Sequence, residues 1–310
     1  MSESILVVGA GELGTEVVRY LSTHPSRPSS TSIAVLLRPS TIASPSPFAS
    51  TSISLFHALG VTLLPGDIAT MQDHELSSTF TPFTTVILCT GFASGRGTQL
   101  RLARAVLTAG VPRYFPWQFG VDYDVVGRGS AQDLFDEQLD VRDLLRGQTG
   151  TKWTIVSTGI FTSFLFGDGY GVVDLSKKNA DGPVVRALGK WENETTTTTA
   201  EDIGRMTAEI AYARPQVDGV VHIAGDTVSY DRVAEIVEKV TGKKVYRELW
   251  DMPRLEEELR EEPEDTLRKY RVVFGKAKGV AWPVVGTFNE LKGVKLTTAE
   301  EWARDNLGSI

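Results

Sequence analysis

ILVVGAGELGTEVVRYL, residues Ile5–Leu21, is the stretch on which the reading of this chain turns. Ile5, Leu6, Val7 and Val8 form an unbroken apolar run of the kind a central parallel strand shows when both of its faces are covered. Three glycines follow, Gly9, Gly11 and Gly14, and a helical pattern runs on to Leu21. In a GxGxxG turn the first glycine bends the chain, the second lets backbone approach a pyrophosphate, and the third brings helix against strand. The helix start then meets the phosphates with its partial positive charge. The spacing predicts strand, phosphate loop and helix, with Glu12 and Leu13 among the loop residues at the cofactor. The plainer alternative is a tight strand-to-helix turn that holds no ligand.

Composition narrows the classes. At 310 residues the chain can bury a large core, either as one extended domain or as a nucleotide domain with a smaller companion. A formal charge of -7 and a pI near 5.3 leave no basic footprint for nucleic acid or an anionic membrane surface. No stretch approaches the roughly eighteen apolar residues of a membrane span, and no basic leader precedes Ile5, so the expectation is a cytoplasmic protein with no membrane partner. One cysteine, Cys89, excludes an internal disulfide and a cysteine-rich metal site, and within TVILCT it reads as a small core residue. His24, His57, His74 and His222 lack ligand spacing, which argues against a metal, and no G-x-S-x-G elbow marks a serine hydrolase.

Outward from the glycine turn, the proline- and serine-rich Thr23–Ser32 is a surface connection, and Ile33–Leu37 is a second strand ending on Arg38, Pro39, Ser40 and Thr41. An acid at this strand end would hold a ribose hydroxyl of NAD, whereas a cation suits the extra phosphate of NADP. Arg38 supplies the cation, and the Ser40 and Thr41 hydroxyls add donors; a solvated surface arginine is the alternative. ASPSPFASTS, from Ala43, is low in complexity and is expected to be a mobile segment, with a helix only around Ser54–Leu59. After a third strand, Val61–Leu64, Asp67 would either meet the adenine amine or cap the next helix. A fourth strand, Thr85–Thr90, opens into GFASGRG, where the small residues Thr90, Gly91, Ala93 and Ser94 would let backbone lie against a cofactor.

A helix over Gln99–Ala109 ends at Gly110, and a fifth strand, Arg113–Phe115, runs into Pro116, Trp117, Gln118, Phe119 and Gly120. The long loop VDYDVVGRGSAQD leads to a helix over Ala131–Arg146 with Leu134, Gln138, Val141 and Leu145 on one stripe. After a sixth strand, Trp153–Ser157, the phenylalanines Phe161, Phe164 and Phe166 either wall an aromatic pocket or pack a core. Val184–Leu188 reads as a short strand, and the threonine-rich WENETTTTT as an edge strand. A helix over Ala200–Tyr212, a strand over Val220–Ile223 and charged helices over Tyr230–Thr241 and Met252–Arg260 follow. Residues 274–310 carry no chemistry that stands out.

Seven stretches in order resemble the isoflavone-reductase-like and NmrA-like branch of the atypical short-chain dehydrogenases: VVGAGELG, LLRPST, GVPRYFPWQFGVDYD, FDEQLDVRDLL, WTIVSTGIFTSFLF, TTTTTAEDIG and YDRVAEIVEKVTGKKV. The resemblance covers essentially the whole chain. It implies an α/β fold, a Rossmann-type doubly wound parallel sheet with a smaller α+β substrate domain. Residues 1–158 and 190–228 would form the NADP-binding domain, and 159–189 with 229–310 the substrate domain. Carried over, Gly9, Gly11 and Gly14 match the phosphate loop, Arg38 the 2'-phosphate contact, and Thr90 and Gly91 the turn beside the cofactor. Phe115 and Pro116 match the strand end near the nicotinamide, and Phe161 the start of a substrate wall that Trp117, Phe119, Tyr123 and Phe164 would complete.

One departure matters. Active members of the family carry a lysine three residues before a Val-Arg pair; here the pair is Val141-Arg142 and the residue is Gln138. A neutral amide has no proton to give near neutral pH, although it can hydrogen-bond a carbonyl or a ribose. The family's Ser-Glu in the preceding loop is replaced by Trp117 and Gln118, and no Tyr-x-x-x-Lys pair compensates, since Gly127 stands four residues after Tyr123. Tyr123 is then a candidate proton donor, or simply a packed loop aromatic. The resemblance implies an NADPH-dependent reductase of an aromatic or polyketide-like small molecule in secondary metabolism, as a monomer or homodimer. Two other readings stay open: an NADP(H)-sensing regulator that docks on a protein, and a cofactor-assisted isomerase or cyclase.

Overall fold

The computed structural model describes residues 3–91, 95–176 and 182–308. The leading apolar run is β1 (Ser4–Val8) and the glycine turn feeds α1 (Glu12–Thr23). Next come β2 (Ser32–Leu37), α2 (Pro39–Ala43), α3 (Pro47–Ala58), β3 (Thr62–Pro65), α4 (Asp73–Phe80) and β4 (Thr85–Leu88). The alternation continues with α5 (Thr98–Thr108), β5 (Arg113–Phe115), the short α6 (Tyr123–Val126), α7 (Leu134–Arg146) and β6 (Lys152–Ser157). Short elements follow: β7 (Ile160–Phe161), α8 (Thr162–Leu165), β8 (Val173–Asp174), β9 (Val184–Leu188) and β10 (Glu194–Thr198). The chain then forms α9 (Ala200–Tyr212), β11 (Gly219–His222), β12 (Asp226–Ser229), α10 (Tyr230–Thr241) and β13 (Tyr246–Trp250). It closes with α11 (Met252–Glu261), α12 (Thr266–Gly275), α13 (Phe288–Leu291) and α14 (Ala299–Leu307).

Seven strands pair in the order β11-β6-β5-β4-β1-β2-β3, so β1 lies inside the sheet with β4 on one side and β2 on the other. That reversal of strand order is where open α/β sheets bind ligands, beyond the carboxyl ends of the strands. Ile5, Leu6, Val7 and Val8 are all buried, as a strand covered on both faces requires. Against the sheet pack Leu102, Ala103 and Val106 of α5 and Val141 and Leu145 of α7, which continue one apolar core. Two smaller sheets, β12-β10-β7 and β13-β9-β8, complete the described strands. The chain divides into two compact units, Met1–Gln118 with Glu137–Val156 and Ile203–Val221, and Phe119–Asp136 with Ser157–Asp202 and His222–Ile310.

Three sequence expectations need correction. ASPSPFASTS is no mobile segment: Pro47 opens α3, the Ser46 hydroxyl accepts from the Ala49 amide, and Ser52 is buried with its hydroxyl 3.0 Å from that of Thr15 on α1. The threonine run is no edge strand, because β10 lies between β12 and β7 and Thr195 to Thr198 are wholly buried. Its hydroxyls are satisfied internally: Thr196 pairs with Thr227 and Thr197 with Thr162, both at 2.8 Å, and Thr198 donates to the Thr158 carbonyl at 2.7 Å. Asp67 does not cap a helix either; its carboxylate accepts from the Ala69 amide at 3.0 Å in a turn, and Gln72 with Glu75 caps α4.

Burial pushes the Cys89 thiol well above its usual range, so it stays protonated. Iodoacetamide at about pH 8 should leave the native protein unlabelled and should modify Cys89 once denaturant unfolds the sheet. Rapid labelling of the native state would contradict the packing of this strand end.

Candidate functional site

The parallel register brings the strand ends together: Val8 is level with Leu36 of β2 and Leu88 of β4, Leu37 with Pro65 of β3, and Ile87 with Phe115 of β5. The residues just beyond them, Gly9, Arg38, Asp67, Thr90 and Pro116, therefore share one edge of the sheet. Gly9 has a φ of +94°, and a Cβ there would lie 2.5 Å from the Thr90 hydroxyl oxygen. Only glycine fits this turn. At Gly14 a Cβ would lie 2.1 Å from the Gly9 carbonyl oxygen, which is how close α1 sits to the turn. Gly11, the residue that caps α1, has nothing within 4 Å of its would-be Cβ, so that side of the turn faces open space.

The neighbouring turn is held from below. The Thr90 hydroxyl donates to the Val8 carbonyl at 3.1 Å, and the Gln99 amide donates to the Thr90 carbonyl at 2.9 Å. The Trp117 indole covers Gly91, within 2.9 Å of where a Cβ would be, so Trp117 packs on this turn and against the sheet core. Ala93 and Ser94 lie outside the described residues. Arg38 is exposed, and its guanidinium has no hydrogen-bond or ion-pair partner among the described residues, although its backbone carbonyl starts α2. Ser40 is exposed on the same short helix.

Gln138 presents the opposite situation. It is 0% exposed, and neither its amide nitrogen nor its amide oxygen has a hydrogen-bond partner among the described residues. Each such orphan costs about 1–3 kcal/mol in a closed interior. The α7 backbone around it is fixed. Gln118 donates its amide to the Gln138 carbonyl at 2.9 Å and accepts from the Arg142 guanidinium at 2.8 Å. The Glu137 carboxylate accepts from the Gly97 and Leu100 amides at 2.8 and 3.0 Å, at the start of α5. Neither clamp was visible in the sequence, because each joins residues from distant parts of the chain.

In the other compact unit the predicted aromatic residues separate. Phe164 stacks on Tyr170 at 4.8 Å and meets Tyr270, which meets Phe135, which meets Tyr123 edge-on at 5.0 Å. Phe166 instead stacks on Trp302 at 5.4 Å and belongs to the core, not to a pocket wall. Phe161 is half-buried at the start of α8, and Phe119 is buried. Tyr123 is 3% exposed, its hydroxyl 2.7 Å from the would-be Cβ of Gly120, in a packed position. A contact the sequence reading missed lies beside it: His222 Nε2 is 3.1 Å from Asp122 Oδ2.

The NmrA-like family profile matches residues 1–303. The chain belongs to the NmrA-like family. This NmrA-like chain is 46% identical over 307 residues to an NmrA-like family domain-containing oxidoreductase of Gibberella moniliformis, covering 98% of each. Among solved structures it resembles isoflavone reductase with a TM-score of 0.77 and 22% identity, over 98% of this chain and 99% of that one. A leucoanthocyanidin reductase–NADPH complex from Vitis vinifera gives 0.77 and 19% over 96% and 97% of the two chains. An NADPH-dependent quinone oxidoreductase from Escherichia coli, complexed with NADPH, gives 0.72 and 20% over 98% and 99%. At these identities the solved structures establish the fold, the Rossmann-type architecture expected from the glycine turn. Among the described residues of the NmrA-like chain no helix is long and apolar enough to cross a membrane, and no cluster of three metal-ligating side chains occurs.

Proposed function

We propose that this NmrA-like chain is an NADPH-dependent reductase of an aromatic or polyketide-like small molecule. The observation that carries this reading is the exposed guanidinium of Arg38, without a partner among the described residues, at the same sheet edge as a glycine turn whose Gly11 side is open. A cation with no partner among the described residues, exposed beside a helix start, matches a phosphate monoester better than it matches a structural role. The oxidoreductase relative and the NADPH-bound neighbours support the same reading.

In this proposal the turn amides of Gly11, Glu12, Leu13 and Gly14 hold the pyrophosphate at the start of α1, and Arg38 with Ser40 holds the 2'-phosphate. Asp67 borders the adenine, and Thr90, Gly91, Phe115 and Pro116 line the path toward the nicotinamide. The bound cofactor supplies a hydride. Gln138, buried in the ligand-free chain, would have to turn out of the interior to hydrogen-bond the cofactor ribose or a substrate carbonyl, and there it would position without proton transfer. Phe119, Tyr123, Phe161 and Phe164, all in the second compact unit, are the aromatic set from which a substrate wall is drawn.

The test is a titration of the purified protein with NADPH and with NADH, followed by NADPH consumption with aromatic carbonyl compounds. Preferential binding of NADPH with substrate-dependent oxidation supports the reading; no binding of either nucleotide overturns it. Cofactor binding with product formation and no net oxidation would select the isomerase or cyclase. Gln138→Met gives a separate result. Removing two orphaned amide atoms should stabilise the ligand-free protein by about 2–6 kcal/mol in urea unfolding, while NADPH binds roughly fivefold more weakly because a hydrogen bond worth about 1 kcal/mol is lost. A variant that is less stable and binds NADPH equally well would place Gln138 in packing alone.

A further inference from the structure

Gly9 and Gly91 are glycines for different reasons. At Gly9 the backbone requires it, with a φ of +94°, whereas Gly91 lies outside the left-handed region. What leaves no room for a side chain at Gly91 is the Trp117 indole: a Cβ there would lie 2.9 Å from Cζ2, 3.1 Å from Cε2 and 3.5 Å from Cη2 of the ring. The ring rests on main chain and is half-buried, so it covers the side of Gly91 that a small residue leaves open.

Both sides of this contact are anchored within the same compact unit. Ile87 of β4 is level with Phe115 of β5, so the segments that leave the two strands, toward Gly91 and toward Trp117, start side by side. The buried Gln99 amide donates to the Thr90 carbonyl at 2.9 Å and reaches the Gly91 carbonyl at 3.4 Å, and the Thr90 hydroxyl donates to the Val8 carbonyl at 3.1 Å. On the other side, the residue after Trp117 is tied to α7: the Gln118 amide donates to the Gln138 carbonyl at 2.9 Å and its oxygen accepts from Arg142 at 2.8 Å. The indole also packs against the sheet core that includes Leu88, Leu102 and Val141. Its position is therefore set by the fold before any ligand arrives.

The place of the ring along a dinucleotide follows from strand order. In the run β5-β4-β1-β2-β3, Arg38 and Asp67 lie beyond β2 and β3 on one side of the glycine turn, and Trp117 lies beyond β5 on the other. An unbroken line of contacts leads there: the would-be Cβ of Gly9 is 2.5 Å from the Thr90 hydroxyl oxygen, and Gly91 is the next residue. At about 4.8 Å per strand, β5 is about 10 Å from β1. A dinucleotide with its 2'-phosphate at Arg38 and its pyrophosphate at the turn carries its nicotinamide half in that direction. We propose that the Trp117 indole, seated on Gly91, is the surface against which the nicotinamide half of NADPH rests, which makes Trp117 a cofactor-binding residue. The proposal rests on the NADPH reading above. An aromatic plane held in place offers a flat heterocycle a wide apolar contact. Trp117 gives up no proton and takes no part in hydride transfer.

The experiment is calorimetric titration of the full chain with two probes, NADPH and 2'-phospho-ADP-ribose, which keeps the adenosine, the 2'-phosphate and the pyrophosphate but has no nicotinamide ring. Trp117→Leu should weaken NADPH by about threefold to tenfold and leave the affinity for 2'-phospho-ADP-ribose unchanged. If Trp117→Leu folds poorly, Gly91→Ala carries the same test. Its backbone suits alanine, and the new Cβ displaces only the ring, so NADPH should again lose affinity while 2'-phospho-ADP-ribose does not. Equal weakening of both ligands, or an unchanged NADPH affinity in Trp117→Leu, overturns the proposal and leaves the NADPH reading intact. Weaker NADPH binding in Gly91→Ala beside normal binding in Trp117→Leu returns the contact to the Gly91 main chain and also overturns it. Failure of the native protein to bind either probe overturns both readings.

Discussion

Gly14→Ala should destabilise the protein by about 1–3 kcal/mol and strip it of most of its NADPH affinity, as read by urea unfolding and by nucleotide fluorescence titration. The new Cβ would lie 2.1 Å from the Gly9 carbonyl oxygen and 2.9 Å from its carbon, both backbone atoms that cannot rotate away. The first turn of α1 has to withdraw, and the amides that would meet a pyrophosphate withdraw with it. Gly11→Ala makes the informative contrast. Gly11 has an extended backbone with φ -76° that alanine adopts readily, and nothing stands within 4 Å of its Cβ. Its stability should therefore be unchanged while NADPH affinity falls, because the methyl group projects into the open space where the proposed pyrophosphate would lie. Equal loss of stability in both variants would mean that the turn serves only to pack helix on strand.

Arg38→Ala should weaken NADPH binding by about tenfold to a hundredfold, the range expected when hydrogen bonds to a charged phosphate worth about 1.5–3 kcal/mol are lost. NADH binding should hardly change, since NADH has no group for that guanidinium to grip. Thermal stability should also be unaffected, because Arg38 is exposed and has no partner among the described residues to lose. Raising the salt concentration should narrow the NADPH preference of the native protein and leave that of the variant flat. Parallel losses for both nucleotides would place Arg38 outside the cofactor site.

Much of the fold was legible because periodicity and local chemistry agree. β5, β9, α9 and α10 begin and end where their patterns predict, at Arg113–Phe115, Val184–Leu188, Ala200–Tyr212 and Tyr230–Thr241. The failures share a cause. The first half of α3 is written mostly in serine, threonine, alanine and proline, and β10 in threonine, so a reading from composition takes the one for a mobile loop and the other for an edge strand. Both are held by hydroxyls that bond within the protein, a compensation invisible until the partner strands and helices are in place. The substitution at Gln138 was legible, because it is a matter of spacing from Val141 and Arg142. The clamps around it were not: Gln118 reaches Arg142 across 24 residues, Glu137 reaches Gly97 across 40, and Asp122 reaches His222 across 100. Pairings over such distances depend on tertiary geometry and leave no local pattern.

The Glu137 carboxylate, seated on the Gly97 and Leu100 amides, has a last implication for how a dinucleotide could lie across this edge. The start of α5 is a natural resting place for an anion, and the protein has filled it with one of its own. A second negative group arriving there would meet repulsion, while the Gly11 side of α1 faces open space. The two helix starts are thereby made unequal, and the molecule is told which end goes where: a dinucleotide threaded backwards would press its charge against an acid.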